Sequence, residues 1–344
     1  MAGELILITG TTGFIGFNVL VKALQAGYKV RIAVRREISI QELKGHALIK
    51  EFSEQGLVEG VVVPDITADG AYQEALKDVV AVVHLASPLP NPTSTDTEKD
   101  ILIPAIKGTL SILNSALEFP DIRRFVITSS AVAIMTDQAA NPTIPPVTYT
   151  PSSRITPLPK APFGGAFEAY RDSKTLSLHA TEQFLAEKNP HFTIINLHPG
   201  YVLGRNELAT KAEELLGSTN AIALGVALGA VKGGLREAFT TPVTDLARIH
   251  IEALEDKVVG SQSFLIRTSD DKLDFNSVND IAKTDFADAV AEGILTPVGS
   301  LDAVQLDVDQ SATIKLFGKP ATFREAVTAT IHQYAELKRK QPGA

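Results

Sequence analysis

Tyr170 and Lys174 are the residues whose types and spacing most directly suggest chemistry. Residues 170–174 have the sequence Tyr-Arg-Asp-Ser-Lys near the start of a predicted helix, so the two side chains project from one face. Ser130 ends a predicted buried strand upstream, and its neighbour Ser129 is the second choice for the same role. Carbonyl reduction needs a proton donor, and a phenol of pKa about 10 is too weak an acid unless positive charge lowers its pKa. We therefore expect Tyr170 to donate the proton, Lys174 to lower its pKa, and Ser130 to hydrogen-bond the substrate oxygen.

Gly10, Gly13 and Gly16 recur at every third position between the first predicted strand and the first predicted helix. In such a turn the first glycine allows a tight bend, and the second lets the backbone approach a pyrophosphate. The third lets the helix pack closely on the strand, and the helix N-terminus offers free N–H groups. This position in the chain is what a dinucleotide site requires, so the motif predicts a dinucleotide cofactor.

The second predicted strand ends in Arg35 and Arg36. An acidic residue at this place binds the ribose 2′-hydroxyl of NAD, whereas a basic one accommodates the 2′-phosphate of NADP. The sequence therefore predicts NADP(H), with Arg35 as the main ligand and Arg36 as its helper. Asp65 and Ile66, after the third predicted strand, are expected to accept from the adenine amine and to pack on its ring.

The elements that position these residues alternate along the first two hundred residues. Short β-branched stretches at 5–8, 30–34, 61–63, 79–85, 125–127 and 193–197 alternate with helical patterns such as 15–25 and 101–117. This pattern predicts an α/β fold with a doubly wound parallel sheet, the Rossmann arrangement. Beyond Pro199 the alternation fades, which indicates a smaller, mostly helical C-terminal substrate lobe. The predicted domains are an NADP-binding domain at 1–197 with 237–268 and a substrate-binding lobe at 198–236 with 269–344.

One segment interrupts the alternation. Residues 141–162 contain seven of the 19 prolines, which excludes a long helix or a central strand there. We expect an ordered surface loop, either a connector or part of a substrate site.

Composition excludes several classes of function. The formal net charge is −8 over 344 residues, so electrostatic binding to nucleic acid or to an anionic membrane is not expected. The absence of cysteine excludes disulfides, thiolate metal sites and cysteine nucleophiles, and the histidines lack ligand spacing, so no metal site is predicted. No targeting signal is apparent, and the apolar run 221–231 is too short to cross a bilayer. We expect a cytoplasmic monomer or homodimer that acts on a small molecule.

Taken together, these motifs resemble a known family. The glycine turn, Ser130, the Tyr170/Lys174 pair and residues 199–204, Pro-Gly-Tyr-Val-Leu-Gly, are similar to the extended short-chain dehydrogenase/reductases, also called the NAD-dependent epimerase/dehydratase superfamily. Residues 82–88 and 104–109, with Arg35, most resemble the branch of dihydroflavonol reductase, cinnamoyl-CoA reductase and the fungal methylglyoxal/ketone reductases. The resemblance spans nearly the whole chain, although residues 136–166 depart from it and leave the substrate open.

The resemblance implies roles for further residues. Ser130, Tyr170 and Lys174 would form the catalytic triad, and Pro199, Gly200 and Val202 would line the nicotinamide. The other implied cofactor contacts, besides the glycines, Tyr170 and Lys174, are Thr12, Phe14, Ile15, Leu85, Ala86, Ser87 and Thr128. The implied substrate contacts are Pro88, Ser130, Phe163 and Tyr201; Phe163, Phe167 and Tyr201 are candidates for an apolar pocket wall, with core packing as the alternative.

The leading hypothesis is an NADPH-dependent reductase of a small ketone or aldehyde. An NAD(P)-dependent epimerase/dehydratase or a hydroxysteroid-type dehydrogenase is the alternative, although Ala105 replaces the asparagine of many epimerase-type members. A non-catalytic NADP-sensing regulator is the alternative from another class. Such a regulator needs the glycine turn but not Ser130, Tyr170 and Lys174 in register, so the trio favours an enzyme.

Overall fold

A seven-stranded sheet dominates the computed structural model, which describes residues 3–89, 93–139, 141, 143–145 and 147–341. The strands in the described residues are β1 Leu5–Thr9, β2 Lys29–Val34, β3 Val58–Val62, β4 Ala81–His84, β5 Arg124–Thr128, β6 Thr148–Tyr149, β7 Thr193–Pro199, β8 Tyr201–Leu203, β9 Lys232–Glu237, β10 Thr240–Pro242, β11 Gln262–Ile266, β12 Ser300–Val304 and β13 Asp307–Val308. The α-helices are α1 Phe14–Gln25, α2 Glu37–Gly45, α3 Lys50–Glu54, α4 Ile103–Ala116, α5 Ala166–Lys188, α6 Ala212–Leu215, α7 Ala221–Ala227, α8 Val243–Glu252, α9 Ser277–Asp285, α10 Ala287–Ala291, α11 Ser311–Phe317 and α12 Phe323–Lys340. A π-helical turn at Glu98–Leu102 precedes α4, and a 3₁₀ turn at Ala131–Ala133 follows β5.

The strand order is β11-β7-β5-β4-β1-β2-β3, and β1 through β5 and β7 pair in parallel. Uniformly apolar β1 is buried from Ile6 to Ile8, as a strand covered on both faces must be. The chain winds outward from β1 in both directions, so the switch point lies between the carboxyl ends of β1 and β4, where such sheets bind ligands. The predicted doubly wound parallel sheet is confirmed.

Amphipathic spacing explains the two helices that carry the candidate motifs. Helix α1 buries Phe17, Leu20 and Leu24 on one face, which matches the helical period of about 3.6 residues. Helix α5 begins after Gly165, whose N–H donates to the Glu168 carboxylate at 2.9 Å, and ends at Asn189 in the left-handed conformation.

The chain divides into two compact units, residues 1–135, 152–198 and 247–264, and residues 136–151, 199–246 and 265–344. Residues 136–151, 237–246 and 265–268 thus fall in the second unit, whereas the predicted domain ranges placed them in the first. The reason is non-local pairing: β6 pairs with β13 and β10 with β8, both in parallel. Strands of two or three residues are too short to show a periodic pattern of apolar residues in the sequence.

The second unit combines helices with these short ladders and with a β9/β12 pair. Its core includes Leu224, Phe275, Phe323, Val327 and Ile331. Within the proline-rich segment 141–162, the structure describes the two-residue strand β6, and positions 142 and 146 of the predicted loop lie outside the described residues. Over the described ranges, none of the helices has both the length and the apolar character needed to cross a bilayer.

Candidate active site

Thr9 joins the carboxyl ends of β1 and β4 at the switch point. Its Oγ1 accepts hydrogen bonds from the N–H groups of Leu85 and Ala86, at 3.1 and 3.0 Å, and lies 2.9 Å from Nδ1 of His84. Because the two N–H groups occupy its lone pairs, the Thr9 hydroxyl donates to Nδ1 of His84. Burial, with a smaller contribution from the Lys174 charge, lowers the pKa of His84 to about 3. His84 is therefore a neutral, packed strand residue, and sequence spacing gave no indication of its bond to Thr9.

The glycine turn follows directly and has the geometry of a phosphate site. Gly10 has a φ of +77°, and a Cβ on Gly16 would lie 2.1 Å from the Gly10 carbonyl oxygen, so a side chain at Gly16 would displace the turn. Gly13 caps α1 without a side-chain hydrogen bond, and a Cβ there would meet nothing nearer than 3.4 Å. The first turn of α1 contains no acidic residue. This uncrowded helix N-terminus fits the pyrophosphate of a dinucleotide.

Arg35 and Arg36 follow the last residue of β2 and are both exposed. Across the described residues neither side chain makes a hydrogen bond or ion pair, whereas Arg31 within β2 pairs with Glu59. Arg36 also precedes the first residue of α2. Two exposed guanidinium groups at this strand end fit a 2′-phosphate.

Asp65 and Ile66 both make contacts within the protein that do not depend on a ligand. One carboxylate oxygen of Asp65 accepts from the N–H and the hydroxyl of Thr67, at 2.8 and 2.7 Å, which lowers the pKa of Asp65. Ile66 packs where a Cβ on Gly108 of α4 would stand, 2.8 Å from its Cδ1. The predicted adenine contacts of both residues stay predictions.

Ser130 and Tyr170 meet beyond the end of β5. Ser130 is 8% exposed and begins the 3₁₀ turn, and its hydroxyl lies beside the Tyr170 phenol closely enough to affect the pKa of that phenol. The structure thus places Ser130 beside the tyrosine. The backbone N–H of its neighbour Ser129 donates to the carbonyl of Leu197 at 2.8 Å. Burial raises the pKa of Tyr170, and the neighbouring Ser130 hydroxyl opposes that rise without cancelling it. The predicted lowering of the Tyr170 pKa by Lys174 stays a prediction.

Lys174 lies one turn after Tyr170 on α5. Its Nζ is 5.6 Å from the centre of the Tyr170 ring and donates to Oγ of Ser87 at 3.0 Å. Burial lowers the pKa of Lys174 to about 8. Among the described residues one neutral hydroxyl accepts from this buried ammonium, which leaves two further donors and fits a lysine that anchors a cofactor ribose.

Two histidines support the ends of β5 and β7. Nδ1 of His198 donates to the carbonyl of Ser130 at 3.1 Å, and Nε2 of His250 lies 2.7 Å from Oγ1 of Thr128. Burial lowers the pKa of His198 to about 4, so its ring is neutral. The role of His198 was not predicted from the sequence, in which its position before Pro199 at a strand end was the available signal. Thr128, a predicted cofactor contact, directs its hydroxyl to His250.

The remaining predicted contacts have the following surroundings. Thr12 is exposed at the glycine turn, and Phe14, Ile15, Ala86 and Pro88 are partly buried. Phe163 is partly buried against the cluster of Ile101, Leu102 and Ala169.

Pro199, Gly200, Tyr201 and Val202 belong to the second unit, at the end of β7 and in β8. There the N–H of Gly200 donates to Oγ1 of Thr241 at 2.9 Å, and Val202 is buried. Their predicted roles at the nicotinamide and substrate stay predictions.

Residues 6–266 match the model of the family described as NAD dependent epimerase/dehydratase. Ketoreductase CTB6 of Cercospora nicotianae is 34% identical over 351 residues, covering 100% of this chain and 98% of the relative. The NAD-dependent epimerase/dehydratase FUM13 of Gibberella moniliformis is 34% identical over 345 residues, covering 92% of this chain and 91% of the relative. Among solved structures, yeast methylglyoxal/isovaleraldehyde reductase Gre2 complexed with NADPH has a TM-score of 0.83 at 25% identity, covering 98% of this chain and 100% of that one.

Proposed function

Because the chain belongs to the NAD dependent epimerase/dehydratase family of extended short-chain dehydrogenase/reductases, we propose that it is an oxidoreductase that uses NADPH to reduce the carbonyl of a ketone or an aldehyde. The observation that carries this proposal is the grouping of buried Ser130 and Lys174 around partly buried Tyr170, next to the switch point. A ketoreductase similar over the whole chain supports the same reaction.

Tyr170 is the proposed acid. Burial raises its pKa, so the phenol holds its proton at neutral pH; donation to the substrate oxygen then requires nearby positive charge to lower that pKa during the transfer. The Ser130 hydroxyl lies beside the phenol and would donate a second hydrogen bond to the same oxygen, as an oxyanion donor does. When bound, NADPH supplies the hydride for the carbonyl carbon, so the oxygen takes up one proton and an alcohol results.

Lys174 is proposed to hold the nicotinamide ribose with the donors that Ser87 leaves free. With a pKa of about 8, its ammonium is largely charged at neutral pH. A positive charge 5.6 Å from the phenol ring favours the phenolate that remains after proton transfer. Lys174 would thus assist the transfer even though burial dominates the resting pKa of Tyr170.

NADPH is the proposed cofactor because Arg35 and Arg36 stand exposed at the end of β2. A 2′-phosphate would give both guanidinium groups an anionic partner, whereas the 2′-hydroxyl of NAD would give them none. The relation to yeast Gre2, whose structure was solved with NADPH, supports the same choice.

An epimerase or dehydratase reaction, or a hydroxysteroid-type oxidation, is the alternative within the family. Ala105 is buried in α4 and has no polar group for a substrate or a catalytic water. This favours the reductase over the sugar-modifying members, in which an asparagine is expected at this place. A cytoplasmic location and a monomeric or dimeric state stay predictions.

The test is consumption of NADPH by the purified protein with a panel of ketones and aldehydes. Loss of NADPH absorbance together with formation of the matching alcohol is the expected result. Tight NADPH binding without turnover of any compound would favour a regulator instead. Conversion of a nucleotide sugar with no net change in the cofactor would favour an epimerase or dehydratase.

A further inference from the structure

Phe167 presents a half-exposed aromatic ring beside the proposed proton donor. Its ring is stacked on that of Tyr170, with centroids 6.4 Å apart and an angle of 27° between the planes, and the residue is 47% exposed. Single exposed apolar side chains are common on protein surfaces. Phe167 differs because its ring packs against the ring of Tyr170, a candidate catalytic residue. The stacked pair therefore forms an aromatic surface with one face available to a ligand.

The order of side chains along α5 shows to which side of Tyr170 this surface extends. Phe167 precedes Tyr170 by three residues and Lys174 follows it by four, so all three occupy one face of the helix. At about 1.5 Å of rise per residue, Phe167 and Lys174 lie on opposite sides of Tyr170 along the helix axis. If Lys174 holds the nicotinamide ribose, the part of a substrate that extends away from the cofactor extends toward Phe167.

The start of α5 is fixed firmly enough to hold this ring in place. Ile101 and Leu102 of the π-helical turn and Ala169 are buried together, and Phe163, Ala166 and Tyr170 pack against them. The Glu168 carboxylate accepts from the N–H of Gly165, which closes the helix N-terminus. A ring on a preorganised helix start loses little entropy when a ligand binds it.

We propose that Phe167 is a specificity-determining residue that favours carbonyl compounds with a flat aromatic substituent. The proposal rests on the proposed function and deepens it by naming the substrate class. The phenol of Tyr170 and the hydroxyl of Ser130 engage the carbonyl oxygen, and the aromatic substituent lies against the free face of Phe167. Aromatic pairs gain stability beyond the burial of their area, so a planar ring is favoured over a saturated ring of similar size.

The test compares three methyl ketones that share the reacting group: acetophenone, cyclohexyl methyl ketone and 2-butanone. Phe167→Ala is expected to reduce kcat/KM for acetophenone relative to 2-butanone by about tenfold or more, as loss of an apolar pocket contact does. Phe167→Leu, which keeps apolar volume without a ring, is expected to retain more activity on the cyclohexyl ketone than on acetophenone. Val259→Ala removes another exposed apolar side chain, which precedes β11, and is expected to leave all three ratios at the wild-type values.

An acetophenone preference that survives Phe167→Ala would overturn the proposal. An equal loss on all three ketones would also overturn it, because it would indicate damage to the helix start rather than to a binding surface. If the wild-type protein reduces none of these three ketones, the proposed function is decided separately by the wider panel of ketones and aldehydes. The inference is then decided by calorimetric binding of 1-phenylethanol in the presence of NADP⁺: about tenfold weaker binding to Phe167→Ala supports it, and equal binding refutes it.

Discussion

Lys174 Nζ donates a hydrogen bond to Oγ of Ser87 at 3.0 Å, which joins the helix that carries the proposed acid to the loop after β4. The hydroxyl stabilises the charged form of a lysine that burial otherwise disfavours. We expect Ser87→Ala to lower the Lys174 pKa below its value of about 8 and to shift the alkaline limb of the kcat/KM profile to lower pH. Rates measured from pH 6 to 10 test this, with Ser53→Ala on α3 as a serine control. An unchanged alkaline limb would show that Ser87 does not support the charge.

Tyr170→Phe removes the proposed proton donor and keeps the ring. We expect kcat to fall by about 10²–10⁴, the contribution typical of general acid catalysis, while NADPH affinity stays within about twofold. Stopped-flow turnover and fluorescence titration measure the two quantities. Tyr72→Phe is the matched control, because the Tyr72 hydroxyl is buried without a partner in the described structure and lies outside the proposed machinery. Substantial reductase activity in Tyr170→Phe would exclude Tyr170 as the acid.

Arg35→Ala tests the choice of cofactor. Hydrogen bonds to charged groups contribute about 1.5–3 kcal/mol, so we expect NADPH to bind roughly 10- to 100-fold more weakly and NADH to be little affected. Arg36→Ala should give a smaller loss of the same kind. Arg339→Ala, which removes one positive charge from the end of α12, controls for net charge. Dissociation constants for both cofactors give the answer, and parallel losses for NADPH and NADH would remove the assignment.

Lys174→Met tests the energetic cost of the buried ammonium. The Lys174 pKa falls from 10.5 to about 8 on folding, so between these values the unfolded chain binds more protons and stability rises with pH. Below pH 8 the wild type carries the full cost, and we expect the methionine variant to be inactive yet more stable at pH 7, by on the order of 2 kcal/mol. This advantage should shrink as the pH rises from 8 toward 10.5. Urea unfolding of both proteins at pH 7 and pH 9.5 measures the difference in their free energies of unfolding. If that difference does not depend on pH, the buried ammonium is not its cause.

The sequence predicts those features of the site that depend on spacing within one turn or one helix. It does not reveal the hydrogen bonds that depend on which distant strands become neighbours. The glycine turn and the Tyr170/Lys174 pair are visible because each lies within one turn or one helix. The bond from Thr9 to His84 and the bond from His198 to the Ser130 carbonyl join residues 75 and 68 positions apart. They depend on which strands become neighbours in the sheet. The upward shift of the Tyr170 pKa depends on burial, which spacing alone does not reveal.

The pairing of short strands was equally hidden from sequence. Beta-strands β6 and β13 have two residues each and are separated by most of the second half of the chain. Because these two strands pair, residues 136–151 belong to the second unit. The proline content of the segment did not indicate this assignment.

The neutral histidines at the strand ends determine which groups can respond to acidity. With pKa values of about 3 and about 4, His84 and His198 carry no charge between pH 5 and 8, the interval in which histidine ordinarily acts as a switch. Neither ring therefore gains a charge when the pH falls from 8 to 5. A change of activity within that interval would have to come from groups other than His84 and His198.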